Sequence, residues 1–354
     1  MTSFQWADDN VSSSSSITPK FVLPETHRPN LEDISRETIP VIDMNEDHDI
    51  LVQKIAEACE NFGFFQITNH GVKEELCAKV LDVITTFFEL SHEKKSHLVS
   101  SDHMEDGKIF KYYVKTEEDK IIPMWSEALF HTWDPVDHSY TSNLPQDPTC
   151  YRETIAEYGM EIGPLMNRLL SLMSQGLGLD KNRLQSIIGE NAAYSAQAHY
   201  YPACSNPELT LGLRPHFDLK VLTVILQEGD VTGLHVRKQD KWMAVDPVPG
   251  ALCHKLGRAN AAPADILLCA WVVLSNDKFK SVHHRAVINK KKRVSFAMFF
   301  GPKNDTSIEP IEELTNESNP PKYRKYTFGE YLEVYKNQQG KQRNVKQFFK
   351  IENN

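Results

Sequence analysis

The chain has 354 residues, 40% of them hydrophobic and 25% charged, with a formal net charge of −9. That composition excludes a wholly disordered chain and leaves apolar material for a sizeable core. The negative balance argues against non-specific binding to nucleic acid or an anionic membrane, and no apolar run approaches the roughly 20 residues that span a bilayer.

Residues 1–36 read as a flexible lead-in. The serine run Ser12–Ser16 offers too little apolar surface to offset the entropy of ordering it. The segment also lacks the basic and apolar regions of a secretory signal. Six cysteines, Cys59, Cys77, Cys150, Cys204, Cys253 and Cys269, are scattered without a Cys-x-x-Cys pair. They point to reduced thiols in a cytoplasmic protein rather than to a disulfide framework.

Ile39-Pro40-Val41-Ile42-Asp43 predicts a first strand. Ile50, Leu51, Ile55, Ala58 and Phe62 recur at helical spacing. Gly63-Phe64-Phe65-Gln66-Ile67 predicts a buried strand ending at Asn69-His70-Gly71, and a second helix is expected over about 73–88. Between 92 and 150 the pattern is mixed. Tyr112, Tyr113, Trp125, Phe130 and Trp133 cluster there, with core packing as the plainer reading and ligand contact as the alternative. The longest helix is expected over 152–177, with Ile155, Tyr158, Ile162, Leu165, Leu169 and Leu172 on one face. Pro164 within it predicts a kink or break. Beyond 193, short runs at Gln197–Tyr201, Val221–Gln227, Gly233–Arg237, Trp242–Val245 and Val294–Phe300 carry the rhythm of an antiparallel sandwich or barrel. The expected organisation is a helical N-terminal half wrapped around a β-rich C-terminal half, with no internal repeat.

Pro215-His216-Phe217-Asp218 heads one of these runs. In extended chain His216 and Asp218 point the same way and can reach one metal. His-x-Asp is common by chance, so the site needs a third ligand, for which His284 in Val282-His283-His284-Arg285 is the candidate. Two imidazoles and one carboxylate on one face of an octahedron suit non-haem Fe(II) oxygen chemistry, whereas structural or hydrolytic zinc prefers a tetrahedral set. His283 and His284 are strand neighbours, so only one can point inward. Arg293 and Ser295 also share a strand face, and a guanidinium with a hydroxyl suits the far carboxylate of a small diacid. The alternative for Arg293 is an ordinary surface residue in the basic run Lys290–Arg293.

The order His216-x-Asp218, His284, Arg293-x-Ser295 resembles the plant 2-oxoglutarate- and Fe(II)-dependent dioxygenase family. His199-Tyr200-Tyr201-Pro202-Ala203-Cys204 is similar to that family's Asn-Tyr-Tyr-Pro-Pro-Cys segment, with His199 in place of the usual asparagine. Leu209–Leu213, Leu222–Gln227, Ile39–Asp43, Gly63–Gly71, Pro320–Tyr323 and Tyr326–Phe328 fit as well, so the resemblance spans about residues 17–345. It implies an α+β fold with a double-stranded β-helix (jelly-roll) core and flanking α-helices. The implied division is 1–36 lead-in, 37–150 helical N-terminal region, 151–192 long helical segment, 193–303 jelly-roll and 304–354 C-terminal extension with a helix.

The resemblance further implies that His216, Asp218 and His284 bind Fe(II), and that Arg293, Ser295 and Tyr201 hold 2-oxoglutarate. O2 would be the second co-substrate and ascorbate a supporting reductant. Phe217, Phe299, Tyr113 and Trp125 are the expected substrate-pocket residues. His70 is expected to be structural, and His235 and His254 are not expected to be ligands. The implied reaction is oxidation, chiefly hydroxylation, of a small plant specialised metabolite such as an alkaloid or flavonoid, with succinate and CO2 as co-products. The resemblance implies a monomer whose partner is this small molecule, with no nucleic acid or membrane. The alternatives are a hormone-metabolising oxidase acting on a gibberellin, auxin or salicylate, and a catalytically impaired binding protein. The last arises because 65 residues separate Asp218 from His284, longer than the family's usual interval, with the excess in 252–274.

Overall fold

The computed structural model describes residues 4–7, 16–35, 37–188, 192–256, 270–337 and 345–351. In the first half of the chain the strands are β1 (Ile34–Ser35), β2 (Val41–Asp43), β3 (Phe64–Thr68), β4 (Lys108–Phe110), β5 (Tyr113–Lys115), β6 (Ile121–Pro123) and β7 (Glu127–Thr132). They are followed by β8 (Ala193–Tyr201), β9 (Leu213–His216), β10 (Leu222–Gln227), β11 (Leu234–Lys238) and β12 (Lys241–Val245). The last three of the barrel are β13 (Leu252–Leu256), β14 (His283–Ala286) and β15 (Arg293–Gly301). The helices that support the site are α1 (His48–Asn61), α2 (Glu74–Phe88), α3 (His92–Lys95) and α4 (Tyr151–Gly176).

Alternation along β15 decides where everything else packs. Val294, Phe296, Met298 and Phe300 fall on one face and Arg293, Ser295, Ala297 and Phe299 on the other. The first set is buried in one cluster with Val80, Val83, Ile84 and Phe87 of α2 and Ile155, Tyr158 and Ile162 of α4. These helical residues recur every three or four positions, so each helix presents one apolar stripe to the sheet. The second face looks into the interior between two sheets. One has the order β2-β3-β13-β10-β15-β8-β7-β4 and the other β1-β12-β11-β14-β9. Ile225, Cys253 and Ala297 of the larger sheet and Leu234, Val236, Met243 and Val245 of the smaller meet in one buried cluster. This is the jelly-roll arrangement expected from the sequence.

Phe296 sits at the centre of the helix-facing side, fully buried, with its ring centroid 5.9 Å from Tyr158 and 5.7 Å from His131. Phe296→Ala is expected to cost about 3–5 kcal/mol of stability, the usual loss for truncating a core aromatic. A denaturant-midpoint measurement checks this, and metal binding, which belongs to the other side of the sheet, should persist in the folded variant.

Three expectations need correction. The N-terminal half is not a purely helical wrap: β2, β3, β4 and β7 extend the larger sheet at both ends. Short strands at 108–132 carry mixed burial patterns rather than clean alternation, which hides them in sequence. The long helix α4 runs unbroken through Pro164. The carbonyl that loses its proline-side partner belongs to Met160, which is 43% exposed, so water can serve it. Finally, the expected lead-in is packed where it is described. Trp6, Ala7, Ile17, Phe21 and Leu23 are buried, Trp6 stacks on His92 at 4.6 Å, and Phe21 meets the edge of Trp125 at 4.9 Å. The serine run dominates the composition of that segment and masks these few anchors.

Within the 252–274 stretch, β13 pairs with β3 and β10, and the short helix Ala270–Leu274 is entirely buried. Residues 257–269, including the expected restart at Asp265–Leu268 and Cys269, lie outside the described residues. The cysteines that are described are free thiols, and no helix among the described residues is long and apolar enough to cross a membrane.

Candidate metal centre

His216 ends β9, and His284 is the second residue of β14. The two strands are antiparallel neighbours with His216 directly opposite His284, so the imidazoles face one point with centroids 4.0 Å apart. Asp218, two residues on, returns its carboxylate to the same place. Its Oδ1 lies 3.8 Å from His216 Nε2 and 3.6 Å from His284 Nε2. One donor atom from each residue falls within 4.8 Å of the others. His283 faces the other way, as alternation requires, and stacks on Phe217 at 4.6 Å.

The surroundings prepare these donors. His216 Nδ1 is 2.9 Å from the Arg214 carbonyl and His284 Nδ1 is 3.2 Å from that of Val282. A carbonyl only accepts, so each Nδ1 carries a hydrogen, which leaves Nε2 as the atom of each ring that can offer a lone pair to the shared point. Thr223 donates its hydroxyl to Asp218 Oδ2 at 2.7 Å, leaving Oδ1 for a metal. Two neutral imidazole nitrogens and one carboxylate oxygen, each oriented by a second partner, fit a divalent transition metal with open positions.

The inward face of the larger sheet continues from this point. Register pairs Phe299 with Thr223, Ala297 with Ile225 and Ser295 with Gln227 on one side of β15. On the other side Phe299 faces Ser195, Ser295 faces His199 and Arg293 faces Tyr201. Arg293 is 3% exposed, not the surface residue its basic neighbours suggest. Its guanidinium carbon lies 5.1 Å from the Tyr201 ring centroid, and it donates to Gln227 Oε1 at 2.7 Å. The Tyr201 side chain is hydrogen-bonded with Ser295 and Arg293. Burial raises its phenol above the ordinary value, and the Arg293 charge opposes that rise. Arg293 Nε has no partner among the described residues, and no ion pair among them reaches this guanidinium. A buried cation left in that state is unfavourable until a carboxylate joins it.

The expected pocket residues separate. Phe299 lies opposite Thr223, whose hydroxyl holds Asp218, and so belongs to this inner face. Phe217 packs on His283 rather than beside His284. Trp125 is buried and donates its indole N–H to the Pro202 carbonyl at 3.0 Å, which ties a wall together. Tyr113 lies on the separate β5–β6 hairpin and is 41% exposed. His199 sits with its ring 6.2 Å from Tyr112 and 5.9 Å from Tyr201.

His70 is bound to the Gly250 carbonyl at 3.0 Å and accepts from the Val72 N–H. His235 and His254 stand outside the donor cluster. Sequence reasoning missed Thr223, Gln227 and the Tyr112–Gln197 hydrogen bond of 2.9 Å. The first two had a signal: they are polar residues four apart on one face of an otherwise apolar strand.

Comparison with known proteins bears on this geometry. Residues 194–302 match the 2OG-Fe(II) oxygenase superfamily, and residues 39–150 match the family described as non-haem dioxygenase in morphine synthesis N-terminal. The chain is 35% identical over 319 residues to flavanone 3-dioxygenase 2 of Oryza sativa subsp. japonica, covering 89% of each protein. It is 32% identical over 333 residues to hyoscyamine 6-dioxygenase of Hyoscyamus niger, covering 91% of this chain and 92% of that one. The crystal structure of JOX2 in complex with 2OG, Fe and JA superposes with a TM-score of 0.80 at 33% identity, over 93% of this chain and 92% of that one.

Proposed function

The chain belongs to the 2OG-Fe(II) oxygenase superfamily as a 2-oxoglutarate- and Fe(II)-dependent dioxygenase, and from that premise we propose that it hydroxylates a small, largely apolar plant metabolite of the alkaloid or flavonoid kind. The observation that carries the reading is the continuous inner face that runs from the His216–Asp218–His284 trio past Phe299 to the buried Arg293, Ser295 and Tyr201. Relatives of similar length act on a flavanone and on hyoscyamine, by their names.

His216, Asp218 and His284 would hold Fe(II), which together with 2-oxoglutarate and O2 supplies the oxidising power, releasing succinate and CO2. Arg293 would take the distal carboxylate of 2-oxoglutarate through paired N–H donors, with the Ser295 and Tyr201 hydroxyls beside it. The Thr223 hydroxyl keeps the Asp218 carboxylate turned toward the metal position. Phe299 gives that end of the inner face an apolar aromatic surface, which suits a ring-bearing substrate. A second reading, oxidation of a hormone-like carboxylic acid, draws on the similarity to the JOX2 complex with JA.

The test is an anaerobic titration of the protein with Fe(II) and 2-oxoglutarate, read by the visible charge-transfer band of a chelated keto acid. This is followed by succinate release across a panel of flavanones, tropane alkaloids and hormone acids. A band with succinate release coupled to a flavanone or alkaloid supports the proposal. Coupling to an acid alone selects the second reading, and a folded protein with no band defeats both.

One residue bears on co-substrate binding through space alone. A Cβ on Gly233 would lie 2.6 Å from Arg293 Cδ and 2.9 Å from its Nε. Gly233→Ala is therefore expected to displace the guanidinium and weaken 2-oxoglutarate binding about tenfold, the scale of a 1–3 kcal/mol overpacking penalty. Fe(II) binding should be unchanged. Separate calorimetric titrations of metal and co-substrate check it.

A further inference from the structure

Arg293 heads a directed hydrogen-bonded chain of four buried side chains. Arg293 donates to Gln227 Oε1 at 2.7 Å. Gln227 Nε2 donates to Cys253 Sγ at 3.2 Å, and the Cys253 thiol donates to Gln66 Oε1 at 3.6 Å. Gln66 Nε2 then donates to the Asp246 carbonyl at 3.1 Å. The chain crosses β15, β10, β13 and β3, each the neighbour of the last, and ends on the backbone that follows β12. All four side chains are buried, at 6% exposure or less.

The direction of the chain is fixed at both ends. A guanidinium has only donors, so Gln227 must present its oxygen to Arg293 and its nitrogen to the sulfur. The Asp246 carbonyl only accepts, so Gln66 must present its nitrogen there and its oxygen to the thiol. The Val248 N–H adds a second donor to that oxygen at 3.4 Å. Rotation of the Gln227 amide by 180° would set donor against donor at Arg293. The amide therefore cannot turn without losing bonds at both ends, and it fixes one edge of a long flexible side chain whose Nε has no partner among the described residues.

We propose that Gln227, locked by Cys253 and Gln66, is the positioning residue that orients Arg293 toward the distal carboxylate of 2-oxoglutarate. This rests on the reading of Arg293 as the carboxylate anchor. Removing the amide leaves a buried guanidinium free to turn toward other acceptors such as the nearby Glu228 carboxylate, whose acidity already responds to the Arg293 charge.

The test compares 2-oxoglutarate with 2-oxopentanoate, which chelates a metal alike but lacks the distal carboxylate, by calorimetry on Mn(II)-loaded protein. Gln227→Leu is expected to weaken 2-oxoglutarate binding about ten- to a hundredfold, the range for a hydrogen bond to a charged group, and to leave 2-oxopentanoate unchanged. Gln227→Glu keeps the shape but gives Arg293 an internal carboxylate, so it should weaken 2-oxoglutarate at least as much. It decides the matter if the leucine variant does not fold. Retention of the full preference for 2-oxoglutarate, or an equal loss for both acids, overturns the proposal. If the unsubstituted protein shows no preference, the assignment of Arg293 itself fails and takes this proposal with it.

Discussion

His284→Ala is expected to remove Fe(II) binding and, with it, all 2-oxoglutarate-dependent turnover. The residue is 2% exposed and sits directly opposite His216 in the β9–β14 ladder. Its loss leaves one imidazole and one carboxylate, and alanine gives the buried point no replacement donor. Loss of a residue that only orients a ligand typically costs 10- to 100-fold in metal affinity, so loss of a ligand itself should exceed about a hundredfold. Thr223→Ala supplies the internal comparison. It keeps all three donors and frees only Asp218 Oδ2, so it should fall within that smaller range. Metal-to-protein ratios after anaerobic loading, with circular dichroism as the control for folding, separate the two cases. A folded His284→Ala protein that still holds one equivalent of Fe(II) would remove this residue from the centre.

Acidification from about pH 6.5 to pH 4 should destabilise the protein by about 3 kcal/mol for each of three buried histidines. His131, His235 and His254 are 1%, 4% and 0% exposed. Burial holds His131 at about 4, and burial with the neighbouring Arg285 charge holds His235 at about 4. Burial alone holds His254 at about 3. An imidazole in the unfolded chain titrates near 6.5. Between these values the unfolded state binds protons that the native state refuses, so stability rises with pH. The contribution is complete above about pH 6.5 and is lost as pH falls toward and through the folded values, on the order of 3–5 kcal/mol for each group.

His254 offers the sharpest check on this. Neither of its ring nitrogens has a hydrogen-bond partner among the described residues, and its ring stacks on Phe65 at 4.9 Å and 10°. His254→Phe keeps the stack and removes the proton-binding group, so its stability should fall less steeply over this range. Denaturant midpoints measured at half-unit pH steps give the slope. Superimposable acid limbs for the variant and the parent would exclude His254 as a source of the effect.

The sequence by itself determined most strands of the C-terminal half and the pairing of His216 with Asp218. Short β-branched and apolar runs punctuated by Gly, Pro, Asn and Asp placed β8, β10, β11, β12 and β15 to within a few residues, because a strand buried inside a barrel reads as a brief apolar run bounded by turn residues. His216 and Asp218 could be paired from local geometry alone, since two positions in one strand share a face. The roles of Arg293, Ser295 and Tyr201 came instead from resemblance, because a basic run around Arg293 argues locally for the surface.

Tertiary structure decided what no local pattern encodes. Only the β9–β14 register brings His284 opposite His216 across 65 intervening residues. Only neighbouring β3, β13, β10 and β15 join Gln66, Cys253, Gln227 and Arg293 into one chain. Nearness in sequence to the implied ligands suggested Phe217 and Phe299 as pocket residues, yet Phe299 faces the inner wall while Phe217, like Trp125 and Tyr113, has other neighbours. The physical reason is common to all of these. Alternation fixes which residues share a face within one strand, but which strands lie side by side, and in what register, depends on burying whole faces at once.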